Sequence, residues 1–435
     1  MEILSFIGII LGIALFVFLS FKGINLFFNA VVAAICMIVF ARLPLIETLT
    51  DGYMTGMAGF LKGYMFIFAL GSLFGKVLED SGAVRRVAQS LAGLTRYSKK
   101  AQKFWAVMIL PVFYVILSYV GISGFVVVFT VVAIGRDLFR ECDVPWSFYC
   151  YGSAGIFLAI ILTGSVQPAN LILTSGFNVP VTASPLLSIV MFAAGIVTLM
   201  LLLWLDLRKT EKKGEGFYPT GEAIMKLQVA DTEQEEKPCN LFLSVLALFS
   251  PMIAIVAFKL HVIIALTIGI ALSFVFFFKR IKNPIATLSG GIASSGLPLI
   301  NVAATSGLAS IITLTPGFAV VTNALNGLPD VFAGVGIISF ICAVVASSSS
   351  GIPSVMPLVI EKMASAGIGA DVAARLGTAG TFTFMTPHNP GIVNAVSLTK
   401  LSYTKAAWLY FKTTFFPGLA AVVVGIIMVL TSIIR

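Results

Sequence analysis

The chain has 435 residues, of which 58% are hydrophobic and only 11% charged, with a formal net charge of +9. A soluble domain carries about 25% charged residues, so the composition excludes a soluble enzyme or binding module and indicates a polytopic membrane protein. The basic excess is no nucleic-acid patch, because it lies in short loops between apolar segments, where it acts as a topology signal.

The apolar runs begin at Ile3–Ser20 and Ile24–Ala41. Each approaches the ~20 residues a helix needs to cross a bilayer. No basic stretch precedes the first run and no small-residue cleavage site follows it, so an uncleaved helix is expected rather than a signal peptide. Glu79 and Asp80 end a later apolar segment, close to Lys76, Arg85 and Arg86. Acids there are costly and often functional, although an ion-pair cluster anchoring the helix end accounts for them equally well.

Two interruptions follow. The stretch 118–124 (Ser-Tyr-Val-Gly-Ile-Ser-Gly) offers Ser123 and Gly124 between apolar flanks, as the tip of a re-entrant hairpin or the loop between two full crossings over 104–138. The stretch 163–170 (Thr-Gly-Ser-Val-Gln-Pro-Ala-Asn) offers Thr163, Ser165, Gln167 and Asn170 around Pro168. Proline removes a backbone hydrogen bond and clashes with the preceding turn, so a helix opens there. The freed amides and the following half-helix N-terminus suit a carboxylate. A plain proline kink satisfied by its own Ser and Thr side chains is the competing reading.

After Ile189–Leu205, residues 206–238 mix both charges with few apolar side chains and read as a cytoplasmic linker, with a short surface helix at Gly221–Val229. The second half repeats the plan, through Val262–Phe278 and the basic Lys279–Lys282. It has a Ser/Gly cluster at 347–354, with Ser349, Ser350 and Gly351, where 331–366 is again a hairpin or two crossings. It then has a Pro-rich break at 383–391, with Thr386, His388 and Asn389, followed by Asn394. His388 is one of only two histidines, and its near-neutral pKa suits a proton carrier; constant hydrogen bonding to structure or substrate is the alternative. His261 falls in a short loop and reads as a bystander. Arg375 reads either as attracting substrate or as anchoring a helix at the interface.

The halves match in order at an offset of about 225 residues, as Val77–Val84 with Val302–Ala309, Gly152–Gly155 with Gly377–Gly380, Ser123-Gly124 with Ser350-Gly351, and Thr163–Pro168 with Thr386–Pro390. The counterpart of the basic Arg96–Lys103 is Val321–Leu328, and that of Lys279–Lys282 is Met54–Met57; neither contains Lys or Arg. Equivalent loops of opposite charge bias lie on opposite sides of a membrane. The expected fold is therefore an all-α polytopic membrane protein of two inverted repeats, about seven segments each, with broken helices. Its parts are a first membrane repeat (1–205), the charged linker (206–238) and a second repeat (239–435). The five scattered cysteines form no C-x-x-C pair, so neither a disulfide framework nor a metal or other cofactor is expected.

The stretch 71–82 (Gly-Ser-Leu-Phe-Gly-Lys-Val-Leu-Glu-Asp-Ser-Gly), with Pro387-His388-Asn389, resembles motifs of the gluconate permease (GntP-like) family. That resemblance implies proton-coupled import of gluconate or related organic acids, in a superfamily of inverted repeats, re-entrant hairpins and frequent homodimers. It places Glu79, Asp80, His388 and Asn389 at family motif positions. Two departures touch the site: Ser118-Tyr119 precede Val120-Gly121 where gluconate carriers tend to have an acid, and Pro390 stands where Gly is usual. They point to a smaller hydroxy- or keto-acid. The expected protein is a multi-pass transporter of the inner (plasma) membrane, coupling a small organic anion to protons, or alternatively to sodium. An enzyme is not expected, since no metal-ligand spacing or nucleophile–base order is present.

Overall fold

In the computed structural model, the described residues are 2–22, 24–94, 101–121, 131–132, 135–136, 138–218, 220–226, 239–344, 351–386, 389, 392, 395–396 and 399–434. Chain order gives α1 (Glu2–Phe21), α2 (Leu26–Ala41), α3 (Met54–Asp80), α4 (Ala83–Leu94), α5 (Gln102–Tyr119), α6 (Ala154–Ile161), α7 (Pro168–Gly176), α8 (Pro185–Lys212) and the short α9 (Glu222–Lys226). The second half supplies α10 (Leu241–Val256), α11 (Val262–Phe277), α12 (Pro284–Leu314), α13 (Phe318–Asn326), α14 (Asp330–Val344), α15 (Ile352–Ser365), α16 (Ala370–Gly380) and α17 (Tyr403–Leu430). Among the described residues, seven helices are long and apolar enough to cross a membrane.

Side-chain acceptors set several helix starts. Asn25, Asn240 and Asn283 each cap the first turn of α2, α10 and α12, satisfying amides that the helix cannot. His261 does the same for α11, its Nδ1 accepting from the Ile263 amide at 3.3 Å. The expected bystander is a cap.

Two long helices, α3 and α12, lie antiparallel. Positions advancing along α3 meet positions receding along α12: Gly56 abuts Ser310, Ser72 Oγ lies 2.8 Å from Ser294 Oγ, and Thr287 Oγ1 donates to Asp80 Oδ2 at 2.6 Å. A Cβ on Gly56 would stand 2.7 Å from the Ser310 Cβ, so glycine is what permits this approach. Small residues let helix backbones close up where lipid gives no hydrophobic drive between helices.

The apolar cores do not follow the two halves of the chain. One core joins α4, α5 and α6 to α10 and α11, through residues such as Leu110, Phe139, Leu248 and Leu266. The other joins α1 and α2 to α14, α15 and α16, through Met37, Ile338, Val359 and Leu376. Each half sends its first two helices into the other's core.

The charged connector differs from a solvated linker in two respects. Helix α8 continues to Lys212, and the following strap is pinned down. The Phe217 amide donates to Asp143 Oδ1 at 2.9 Å, Thr220 Oγ1 accepts from the Trp146 amide at 3.1 Å, and the Phe217 and Ile224 side chains are buried. The Phe217 amide, with Lys103 nearby, holds the Asp143 carboxyl below its ordinary range. The expected helix at Gly221–Val229 is present as α9; residues 227–238 lie outside the described set.

Where α8 meets α17, Lys412 Nζ binds both carboxylate oxygens of Asp206 at 2.7 and 2.5 Å, and Tyr151 Oη donates to the same carboxylate at 2.7 Å. Both charged side chains are about 15% exposed. Removing one member of such a pair strands the other, at a cost on the order of 3 kcal/mol. Lys412→Met is expected to lower the melting temperature of the detergent-purified protein, and adding Asp206→Asn is expected to restore more than half of that loss.

Candidate functional site

The first break is the best-defined irregular backbone at the centre of the fold. Helix α6 stops at Ile161 because Leu162 turns extended, and α7 restarts with Pro168 as its first residue. Proline fits there, since a first-turn amide has no intrahelical acceptor to lose. Between them, residues 162–167 are supplied with partners from four other segments. Ser188 Oγ accepts from the Thr163 amide at 2.7 Å, Tyr119 Oη donates to the Thr163 carbonyl at 2.6 Å, and the Gly164 amide donates to the Val181 carbonyl at 2.8 Å. The Val166 amide donates to the Tyr119 carbonyl at 3.0 Å. Gly164 has φ +80°, and a Cβ there would lie 2.8 Å from Tyr119 Oη, so conformation and space both demand glycine.

The sequence-predicted side chains of this break serve the scaffold. Gln167 Nε2 donates to the Ser118 carbonyl at 2.6 Å, and Ser165 Oγ accepts from the Gln167 amide at 3.3 Å. Asn170, wholly buried, has both ends of its amide engaged: Nδ2 donates to the Ser165 carbonyl at 2.6 Å, and Oδ1 accepts from Arg375 at 2.7 Å. Two hydroxyls are left over. Ser118 Oγ and Thr163 Oγ1 are both shielded from solvent and have no hydrogen-bond partner. Buried polar atoms are almost always paired, so two orphans flanking one break mark a place where a ligand's oxygens would be welcome.

Sequence reasoning left Arg375 ambiguous, and the structure removes the interface reading. It is 0% exposed, at the middle of α16. Its Nε donates to the Ala183 carbonyl at 2.9 Å, one terminal nitrogen to the Val181 carbonyl at 2.7 Å and the other to Asn170. A lone arginine in a stretch of Ala, Gly and Thr was the signal for it, because an intramembrane charge is expensive. Tyr119 and Ser188 carried no comparable signal.

The break of the second half is described only in part. Helix α16 passes into a 3-10 turn, Thr381–Phe384, where Thr383 Oγ1 donates to the Ser339 carbonyl at 2.5 Å. Thr386 Oγ1 lies 3.5 Å from the Ala343 carbonyl, and Asn389 is buried, its amide donating to the Thr386 carbonyl at 3.0 Å. Gly351 is buried at the start of α15. Ser123, Gly124, Ser349, Ser350, His388 and Asn394 lie outside the described residues. The helices carrying the two breaks do meet, since Gly377 of α16 sits against Leu173 of α7.

Glu79 and Asp80 stand apart from this centre. Asp80 pairs with Lys76 at 2.8 Å and accepts from Thr287, and Glu79 lies 3.6 Å from Lys76. Among the described residues no hydrogen bond or ion pair joins either acid to the break. Gly71, whose backbone abuts the Gly121 carbonyl, is eight residues before Glu79, or about 12 Å along the helix.

Gly164→Ala tests the backbone account. It is expected to lower the melting temperature by an amount corresponding to about 1–3 kcal/mol, from positive-φ strain and displacement of Tyr119. Gly59→Ala, in α3 with nothing within 4 Å of the added carbon, is the control, expected to be neutral or slightly stabilising.

The chain is 24% identical to "Uncharacterized transporter YxjC" of Bacillus subtilis (strain 168), over 99% of this chain and 100% of the relative. It is similar in structure to the Alcanivorax borkumensis YdaH transporter, with a TM-score of 0.48 and 15% identity over 87% of this chain and 88% of that one. The sequence pattern of the GntP family of permeases matches residues 4–290. A multi-pass membrane chain with two-thirds of its length on that pattern is a transporter, and it belongs to the GntP permease family.

Proposed function

We propose that this protein imports a small organic acid anion by proton symport across the inner (plasma) membrane, alternating access around its two broken helices. The observation that carries the reading is the first break, where a half-helix begins after opened backbone and two hydroxyls of residues tied to it, Ser118 and Thr163, are shielded and unpartnered. A half-helix N-terminus favours a carboxylate, and hydroxyls suit carboxylate or hydroxy-acid oxygens. Ser165, Gln167 and Asn170 belong to the substrate site as its frame. Positions 123–124 belong to it in the same repeat, and Thr386, Asn389, Gly351 and the positions 349–350, 388 and 394 complete it from the facing repeat. His388 carries the proton, with Glu79 and Asp80 as the alternative carriers.

In the same reading the halves 1–205 and 239–435 are inverted repeats joined by the segment 206–238. Support comes from the antiparallel run of α3 against α12 and the reciprocal exchange of α1–α2 and α10–α11 between cores. The arms α14 and α15 form a re-entrant hairpin. The second arm, α15, has 14 residues, which at 1.5 Å per residue reach only ~21 Å of a ~30 Å hydrocarbon core. Lys362, late in α15, pairs with Asp330 at the start of α14 at 3.5 Å, so both arms return to one side. The assembly is a homodimer, as the sequence resemblance implies.

One proton moved with a monovalent anion carries no net charge, so uptake at that ratio is driven by the pH difference, about 1.4 kcal/mol or tenfold accumulation per pH unit; each further proton adds ~3.5 kcal/mol at ~150 mV. The test is uptake into proteoliposomes of labelled carboxylates, gluconate and 3-hydroxybutyrate among them, under an imposed inward proton gradient. Uphill uptake of one acid, abolished by a proton ionophore, is expected. Uptake that needs sodium and survives the ionophore would replace the proton by sodium. Equilibration without accumulation would make the protein a passive channel.

A further inference from the structure

Arg375 is the one fully buried charged residue among those described, and it has no carboxylate partner there. Its acceptors are two backbone carbonyls and an amide oxygen, all neutral. They satisfy N–H groups and leave the unit charge uncompensated. Arginine tolerates this better than lysine because guanidinium is weakly hydrated and its planar fork matches several acceptors at once. A clamp alone needs donors and not a net charge.

The position of that charge is specific. The Val181 carbonyl accepts from Arg375 and from the Gly164 amide, at 2.7 and 2.8 Å. Asn170 accepts from Arg375 and donates to the Ser165 carbonyl. The guanidinium therefore stands two hydrogen-bond lengths behind the break backbone, reaching it from the other half of the chain. The orphaned hydroxyls of Ser118 and Thr163 belong to residues that this network ties to the break. Their own carbonyls are already taken, by Gln167 and Tyr119. An uncompensated cation one hydrogen-bonded layer behind the break and two unpartnered hydroxyls on residues tied to it are complementary to one carboxylate.

We propose that Arg375 is a specificity-determining positioning residue, holding the first break in shape and supplying the positive field that selects a carboxylate at the Ser118 and Thr163 hydroxyls. The anion's passage across the membrane rests on the transport reading above; its binding does not. A unit charge about 8 Å away at an effective dielectric near 20 changes an anion's affinity by roughly 30-fold.

The experiment uses the full-length purified protein, with Arg375→Lys and Arg375→Gln variants. Half-saturation of thermal stabilisation is measured for gluconate, 3-hydroxybutyrate, lactate and pyruvate, alongside amide hydrogen exchange over 163–171. At least one carboxylate is expected to stabilise the wild type. The Gln variant is expected to need at least tenfold more of it, and the charge-keeping Lys variant less than threefold more. Exchange over 163–171 is expected to rise in both variants, because neither side chain spans three acceptors.

A Gln variant with wild-type half-saturation would overturn the proposal, even with faster exchange, since Arg375 would then be structural only. Failure of all four probes to stabilise the wild type would overturn it too. Should the Gln variant not fold, the Lys variant decides: more than tenfold loss despite the retained charge overturns the proposal. Arg375-dependent stabilisation without proteoliposome uptake would leave this site standing and sink the transport reading. Uptake with unchanged affinity in the Gln variant would do the reverse.

Discussion

Everything at the centre of this protein depends on one constraint: a backbone that leaves the helix inside a membrane must have its amides and carbonyls met by other protein groups. Each unmet group costs several kcal/mol. Residues 162–167 break that rule locally and are repaired by convergence. Ser188, Val181 and Asn170 each supply or accept one bond to the opened stretch, and Tyr119 makes two. These come from α5, α7, α8 and the connection before α8, so the break exists only in the folded whole. Arg375 then fixes two of the repairers, Asn170 and the Val181 carbonyl, from across the chain. The polar residues of the break are thus divided between those that hold it open and the two hydroxyls that are left over.

The interlocked cores extend the same logic to the scale of the fold. A half that contributed a self-contained bundle would be free to separate from the other. Here α1 and α2 pack among helices of the second half, and α10 and α11 among those of the first. The hydrogen bonds between α3 and α12 and the Asp206–Lys412 pair between α8 and α17 also join the halves. Motion under the proposed mechanism therefore has to be motion of groups of helices drawn from both halves, with α7 and α16 moving as one body because Arg375 and the Leu173–Gly377 contact bind them.

Much of the architecture was legible in the sequence because the membrane constrains it so tightly. Hydropathy located the long apolar helices, and Pro168 marked where the helix restarts after the first break. The linker was less legible. Its charge pattern is that of a solvated segment, and two isolated apolar residues, Phe217 and Ile224, give no periodicity from which burial is readable. Their pocket is formed by distant residues such as Trp146. The polar side chains of the break were found as a group, but the partition within the group was not readable. Asn170 differs from Thr163 only in having Arg375 and the Ser165 carbonyl within reach, which is a property of the fold. Arg375 itself was visible as a charge in an apolar helix. Its depth was not, since α16 is short and neighbours an apparent surface.

Charge placement separates the anchoring pairs from the central one. Lys76 with Asp80, Lys362 with Asp330 and Lys412 with Asp206 are all partly exposed pairs. Each cation there meets a carboxylate, and the net field of each pair falls away quickly. Arg375 is deeper than any of them and meets only neutral oxygens. Were its task solely to tie α16 to the 181–183 segment, a neutral donor such as glutamine would serve with no ionic desolvation. Were it a buried ion pair, a carboxylate would stand where Asn170 stands, and Asn170 differs from aspartate by a single atom. The amide there accepts from the guanidinium without cancelling it, and donates to the Ser165 carbonyl, which a carboxylate would repel. The arrangement keeps the positive charge unspent behind the break, as the proposed site for an anion that arrives and leaves requires.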